Sequence, residues 1–197
     1  MLTVSMVTTN RGKFERARQG LEPWDVNVNQ IDTPLIEIQG TLEDIAIDKA
    51  RQAFQIARAP VIVTDAALSI DAFNGWPGVH IKDAAEKLGP AGFLRLMSAF
   101  PNQEDRCGSW LESLAYLDVN QAQPRIWFRK DRGCFSREMR GTYHPDMKSP
   151  LWTCWEADGY KKTLAEMTEQ EMFHHRQTND GNRMFGEFAR WFKRAIE

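Results

Sequence analysis

The sequence predicts an α/β fold with a mixed sheet, and three stretches carry that prediction. Residues 2–7 form an apolar run that stops at Thr8-Thr9-Asn10-Arg11-Gly12-Lys13, after which a helical pattern begins at Phe14. Pro60-Val61-Ile62-Val63-Thr64-Asp65 is a second apolar run, placed after a helical stripe. Residues 110–119 and 125–129 are largely apolar runs on either side of a polar turn at 120–124, and they read as antiparallel strands. Strands and helices mixed in this way, without strict alternation, point to an α/β fold with a mixed sheet.

The remaining elements follow in order. After the strand at 2–7 comes a helix at 13–20 and a strand at 26–31. Residues 42–58 repeat apolar side chains (Leu42, Ile45, Ala46, Ala50, Ala53, Phe54, Ala57) at helical spacing, and Thr41 with Asp44 resembles a capping box. A strand at 61–64 and an apolar stretch at 68–73 lead into Asn74-Gly75-Trp76-Pro77-Gly78, which is dense turn punctuation. Helices at 83–88 and 90–99 are interrupted at Gly89-Pro90. The last helix, 181–196, places Met184, Phe185, Phe188, Trp191, Phe192 and Ala195 on one face, the pattern of a helix docked on a core. With 197 residues the chain is long enough for one sizeable core, and residues 1–197 are read as a single domain.

Composition removes several functions. A formal charge of -2 and a pI near 6.1 give no basic footprint, which argues against binding a nucleic acid polymer. Cys107, Cys134 and Cys154 are far apart and form no C-x-x-C pair. That pattern fits a reducing compartment and argues against a disulfide frame or a structural zinc site. No apolar run reaches membrane-spanning length and no leader-like segment opens the chain, so the expectation is a soluble cytoplasmic protein with no membrane partner.

Three clusters carry chemistry. A strand that breaks at hydroxyl, amide and glycine residues and opens a helix with a lysine is suited to an anion, because helix N–H groups, the helix dipole and Lys13 all favour negative charge there. The spacing is not that of a Walker loop, and an ordinary strand-to-helix turn is the competing reading. Lys49 lies inside the apolar stripe of its helix. A lysine facing the interior requires an anion unless it snorkels to the edge. Asp65 closes an apolar strand, at the end where open α/β sheets bind ligands, although aspartate there is also a common turn former. Glu37 and Asp65 supply two hard oxygen ligands, and Lys13 and Lys49 supply positive potential. That set suits a Mg2+–polyphosphate complex.

These residues bring a family into view. Thr8-Thr9-Asn10-Arg11-Gly12-Lys13 resembles the T-x-N-x-x-K opening of the inosine triphosphate pyrophosphatase, or Ham1-type, family. Glu37-Ile38-Gln39-Gly40 with Ile45-Ala46-Ile47-Asp48-Lys49-Ala50 is similar to its E-x-Q-G…I-A-x-x-K-A block. Residues 60–82 are similar to its acidic strand and A-L-x-G-x-P-G turn, and Asp158-Gly159-Tyr160 and Thr163-Leu164-Ala165-Glu166-Met167 to a later segment. The resemblance implies an elongated two-lobed α/β fold, with a long twisted mixed sheet flanked by helices, a central nucleotide cleft, and a homodimer. It implies hydrolysis of a nucleoside triphosphate to monophosphate and pyrophosphate with Mg2+, on inosine, deoxyinosine or xanthosine triphosphate. By position, Thr8, Asn10, Lys13 and Lys49 grip the phosphates and Glu37 holds the metal. Asp65 binds metal or activates the attacking water.

The chain departs from the family's pattern in several places. Thr64 stands where the first of two adjacent acids is usual, and Ala66 where a small hydroxyl residue is. The G-F-G-[YW]-D-P segment is replaced by Lys148-Ser149-Pro150-Leu151-Trp152-Thr153-Cys154-Trp155, and E-K-N-x-x-S-H-R by Glu171-Met172-Phe173-His174-His175-Arg176. Trp152 or Trp155 could stack on a base, against a core role for both. His175 and Arg176 could donate to a purine 6-oxygen, against a solvated helix end. His174, His175 and Cys154 lack the i, i+4 spacing of a zinc site. Glu166 reads as structural. These departures leave two alternatives: the same chemistry redirected to another modified or biosynthetic nucleotide, or a retired nucleotide-binding or assembly protein.

Overall fold

A computed structural model describes residues 2–144, 147, 149–178 and 183–196. Its elements in chain order are β1 (Leu2–Val7), α1 (Arg11–Leu21), β2 (Val26–Ile31), α2 (Leu42–Ala57), β3 (Val61–Ile70), β4 (Pro77–Gly78), α3 (Ile81–Met97), β5 (Cys107–Leu117), β6 (Arg125–Phe135), β7 (Trp155–Ala157), α4 (Glu169–Thr178) and α5 (Arg183–Ile196). The strands form a seven-stranded sheet in the order β2-β1-β3-β5-β6-β7, with β4 paired to β3. β1 runs parallel to β2, with Leu2 opposite Val26, and parallel to β3, with Ser5 opposite Val61. β4 and β7 pair antiparallel with β3 and β6. β5 and β6 are neighbours joined by the short connection 118–124, which permits only an antiparallel pairing. The sheet is mixed, as the sequence predicts.

The chain divides into two compact units. The first comprises residues 1–65, 112–129 and 180–197. Its sheet is covered on both faces, because strand side chains alternate. Val4, Met6, Ile62, Leu114 and Tyr116 meet Ala17 and Leu21 of α1 and Met184, Phe185, Phe188 and Phe192 of α5. Val7, Val61, Val63 and Ala115 meet Ala46, Ala50 and Ala53 of α2. The apolar stripe of α5 is therefore core, as expected, except that Ala195 is exposed in the final turn. The capping box of α2 forms: Thr41 Oγ1 accepts from Asp44 N (3.1 Å) and Asp44 Oδ2 accepts from Thr41 N (3.0 Å).

The second unit comprises residues 66–111 and 130–179. Its core gathers Leu68, Ile70, Phe93, Trp110, Phe135, Leu151 and Trp155. Phe135 lies stacked on Phe93 and edge-on to Trp155. Three boundaries differ from the sequence reading. β3 continues through Asp65 to Ile70 where a break at Thr64 was expected, since Leu68 and Ser69 pair with β4 and Leu68 and Ile70 enter the core. β6 continues through the polar run 130–132 to Phe135, because Gly133, Cys134 and Phe135 pair with β7. The two helices expected at 83–88 and 90–99 form one assigned stretch, α3, and the break expected at Gly89-Pro90 survives as a left-handed Gly89 (φ 60°) inside it.

The cysteine expectation is corrected. Cys107 and Cys134 form a disulfide, with Cys154 free and buried. The two are distant in sequence, but they fall on β5 and β6, whose antiparallel pairing brings such positions side by side. The cysteines therefore no longer point to a reducing compartment. Among the described residues no helix is long and apolar enough to cross a membrane.

The α1–α5 contact is close at Gly20, where a Cβ atom would lie 2.6 Å from a ring carbon of Phe185 and 3.1 Å from its Cβ. The ring cannot swing clear without moving its own backbone. Gly20→Ala should lower the unfolding free energy by about 1–3 kcal/mol, measured by urea denaturation.

Candidate active site

The loop after β1 is built by its own side chains. Thr8 Oγ1 accepts from Asn10 N (3.1 Å), and Asn10 Oδ1 accepts from Lys13 N (3.0 Å). Asn10 is thereby the N-cap of α1, and the helix begins at Arg11 rather than Lys13. Lys13 sits in the first turn, and its ammonium donates to Thr64 O (3.1 Å) and Asp65 Oδ1 (3.0 Å).

Lys49 arrives from the opposite face of the sheet. Its ammonium donates to Asp65 Oδ2 and lies 3.3 Å from Glu37 Oε2. The side chain is 11% exposed, so it turns inward onto carboxylates instead of snorkelling to solvent. Asp65 is the meeting point: it lies on β3 beyond the residues paired with β1, and two helices each send one lysine to it. Glu37 joins through Lys49 and is the exposed member, at 55%. Thr8, Asn10, Lys13, Glu37, Lys49 and Asp65 are thus gathered in the first unit.

The electrostatics are those of a buried ion cluster. Burial alone raises the Asp65 pKa, but Lys13 and then Lys49 overcome it and hold the carboxyl below its usual range. Burial lowers the Lys13 pKa, and Asp65 restores only part of the loss. Two carboxylates within reach of one ammonium, one of them solvent-exposed and able to swing, fit a Mg2+ ion that also takes phosphate oxygens and waters. Among the described residues no three His, Cys, Asp or Glu side chains cluster as a metal group, so phosphate oxygens would have to complete such a shell.

A second polar cluster escaped the sequence reading. Glu112 on β5 is 2% exposed and accepts from Arg16 Nη1 (2.5 Å) and Arg129 Nη1 (3.1 Å). The signal was present: Trp110, Glu112, Leu114 and Tyr116 alternate along one strand, and an acid in that register must be met by a cation. Arg16 lies one helical turn after Lys13, on the same side of α1.

The remaining candidates lie in the second unit. Trp155 is fully buried, and Trp152 is partly buried and packs against the same core. His175 is 2% exposed. Its Nε2 is 3.1 Å from Asp131 Oδ2, and its ring stands edge-on to Tyr160. The solvated helix end expected there holds for His174, which is exposed, and not for His175. Cys154 is held by Leu151 O (3.3 Å) and belongs to no metal group among the described residues. Glu166 is structural, as expected: it closes a capping box with Thr163. The side chain of Arg176, and Lys148 as a whole, lie outside the described residues.

An α/β protein that gathers two ammoniums and two carboxylates around one strand residue, beside a capped helix start, has a site suited to a phosphate–metal complex. The comparisons agree on the lineage. A model of the Ham1 family matches residues 4–178, and the chain belongs to that family. It is 37% identical over 171 residues to an inosine triphosphate pyrophosphatase of Pyricularia oryzae, covering 86% of this chain and 84% of that one. It is 30% identical over 197 residues to a dITP/XTP pyrophosphatase of Thermococcus kodakarensis, with both chains fully covered. The fold matches that of a HAM1 protein from Coxiella burnetii with a TM-score of 0.79 at 21% identity, covering 98% of this chain and 100% of the other.

The depressed Asp65 carboxyl stabilises the folded state fully above the ordinary carboxylate pKa, and that contribution is lost as pH falls through the lower folded value. Asp65→Asn should therefore destabilise the protein by about 3 kcal/mol at pH 7, because it strands two lysines. It should also flatten the acid limb below the ordinary carboxylate range, and urea titrations at pH 7 and at about pH 2.5 measure both effects.

Proposed function

We propose that the chain is a Mg2+-dependent nucleoside triphosphate pyrophosphatase acting on inosine, deoxyinosine or xanthosine triphosphate. The observation that carries this reading is the convergence of Lys13, Lys49 and Glu37 on Asp65. Family membership and the names of the relatives agree with it.

In this reading Lys13 and Lys49 turn from Asp65 to phosphate oxygens when the polyphosphate enters. Asp65 orients a water and takes its proton. The water oxygen bonds to the α-phosphorus, and the bond from that phosphorus to the α–β bridging oxygen breaks. Pyrophosphate leaves and the nucleoside monophosphate remains. Glu37 and Asp65 would hold Mg2+, which when bound offsets phosphate charge and lowers the pKa of a coordinated water. Thr8 and Asn10 act by shaping the loop that sets Lys13 in place. We also place the enzyme in the cytoplasm, among free nucleotides, as a homodimer without a nucleic acid or membrane partner.

One observation supports a shifted base preference. His175 faces Asp131 and Trp152 lies on a core, so base contacts differ from those the family resemblance implies. Incubation with a mixture of nucleoside triphosphates and Mg2+, with identification of the monophosphate formed, separates the two substrate classes. Inosine, deoxyinosine or xanthosine monophosphate is expected. Exclusive formation of another monophosphate establishes the redirected enzyme, and no product from any triphosphate overturns the pyrophosphatase reading.

Asp65→Asn should lower kcat by roughly a hundredfold or more at little cost in nucleotide affinity, under conditions where the variant is folded. Lys13→Ala should raise KM about tenfold. Glu37→Gln, at an exposed position, should leave stability unchanged and raise the Mg2+ concentration needed for half-maximal rate roughly tenfold. Steady-state kinetics across a Mg2+ titration measures all three.

A further inference from the structure

The cluster around Glu112 has features that a purely structural ion bridge does not require. Ile62, Leu114 and Trp127 all belong to or pack against the core beneath α1 and α5. Side chains alternate along a strand, so Thr64, Glu112 and Arg129, each two residues removed, present to that same face. They stand on β3, β5 and β6, which are consecutive in the sheet. Arg16 reaches Glu112 from α1, one turn beyond Lys13.

Among the described residues Arg16 Nε and Thr64 Oγ1 are buried without a hydrogen-bond partner, and Thr64 as a whole is only 6% exposed. Buried donors are ordinarily satisfied, and unmet ones point to a ligand or a functional constraint. The two guanidiniums also oppose each other. Burial, and then the neighbouring Arg129, push the Arg16 pKa down to about 10. Arg16 nevertheless keeps a quarter of its side chain open (25%), beside the lysine that the proposed function assigns to the polyphosphate. An anion reaching that edge relieves the repulsion and gives the guanidinium a second acceptor.

We propose that Arg16, Arg129 and Thr64 form a second oxyanion seat beside Lys13, which holds phosphate oxygens of the polyphosphate chain and binds inorganic pyrophosphate, with Glu112 as the positioning residue that fixes both guanidiniums. The seat rests on the pyrophosphatase reading for its physiological ligand. Thr64, which replaces an acid in the family's pattern, is then part of an anion site, where a second carboxylate would repel the ligand.

The test is calorimetric titration of the full-length protein with inorganic pyrophosphate, for wild type, Arg16→Gln, Arg16→Lys and Thr64→Val, alongside triphosphate hydrolysis. Arg16→Gln should weaken pyrophosphate binding at least tenfold and raise KM in parallel, with kcat changed less than threefold. Arg16→Lys should recover part of the loss, since it keeps charge without the fork. Thr64→Val preserves volume and should leave the melting temperature unchanged or higher while weakening pyrophosphate binding several-fold. Should Arg16→Gln fail to fold, Thr64→Val decides alone. Pyrophosphate binding and KM within twofold of wild type in Thr64→Val and in every folded Arg16 variant overturn the seat, as does a wild-type protein that binds no pyrophosphate. A wild type that binds pyrophosphate through Arg16 yet hydrolyses no triphosphate overturns the pyrophosphatase reading and leaves the seat standing.

Discussion

Asp65 is the residue on which the organisation of the first unit depends. A single carboxylate, 13% exposed, receives one ammonium from α1 and another from α2. These helices are anchored to the sheet through different apolar clusters, with α1 on the Ile62 side and α2 on the Val61 and Val63 side. The ion cluster therefore sits where the two faces of β3 meet, held in place by apolar packing it does not itself supply. Replacing such a buried cluster with well-packed apolar residues is often neutral or stabilising. Its presence is more readily explained by chemistry than by stability.

The way the strands are laid out explains why charge collects there. β1 ends at Val7, while β3 runs on to Ile70, so β3 leaves β1 behind just before Asp65. The loop from Thr8 to Asn10 fills the position β1 vacates and turns directly into α1. Lys13 needs only the first helical turn to reach Thr64 O and Asp65. Position, rather than any unusual residue type, brings the first turn of α1 to the carboxylate.

Much of this was legible in the sequence. The strand boundaries of β1 and β2, the capping box of α2 and the inward lysine at position 49 follow from periodicity and from the cost of burying charge, Asp65 from its place at the end of an apolar run, and Glu37 from the family resemblance. What escaped was long-range pairing. Asp65-Ala66-Ala67 looks like the end of a strand until β4 and the second core are in view. The polar run 130–132 looks like a loop until β7 supplies its partner. Cys107 and Cys134 look unrelated until the hairpin aligns them. Glu112 could have been found by strand alternation alone, but its partners at Arg16 and Arg129 depend on which helix covers that face. His175 was ambiguous because a histidine near a helix end gives no hint of a buried aspartate on a distant strand.

The bridge between Cys107 and Cys134 lies at the open end of the β5–β6 hairpin, opposite the turn, and the residues it encloses include Glu112 and Arg129. A covalent ring of that size removes chain entropy from the unfolded polymer worth about 3.5 kcal/mol in the loop-closure account. Protein handled with a thiol reductant and protein handled without one are consequently different polymers, with different unfolded ensembles. Comparisons of variants along this hairpin are meaningful only within one oxidation state.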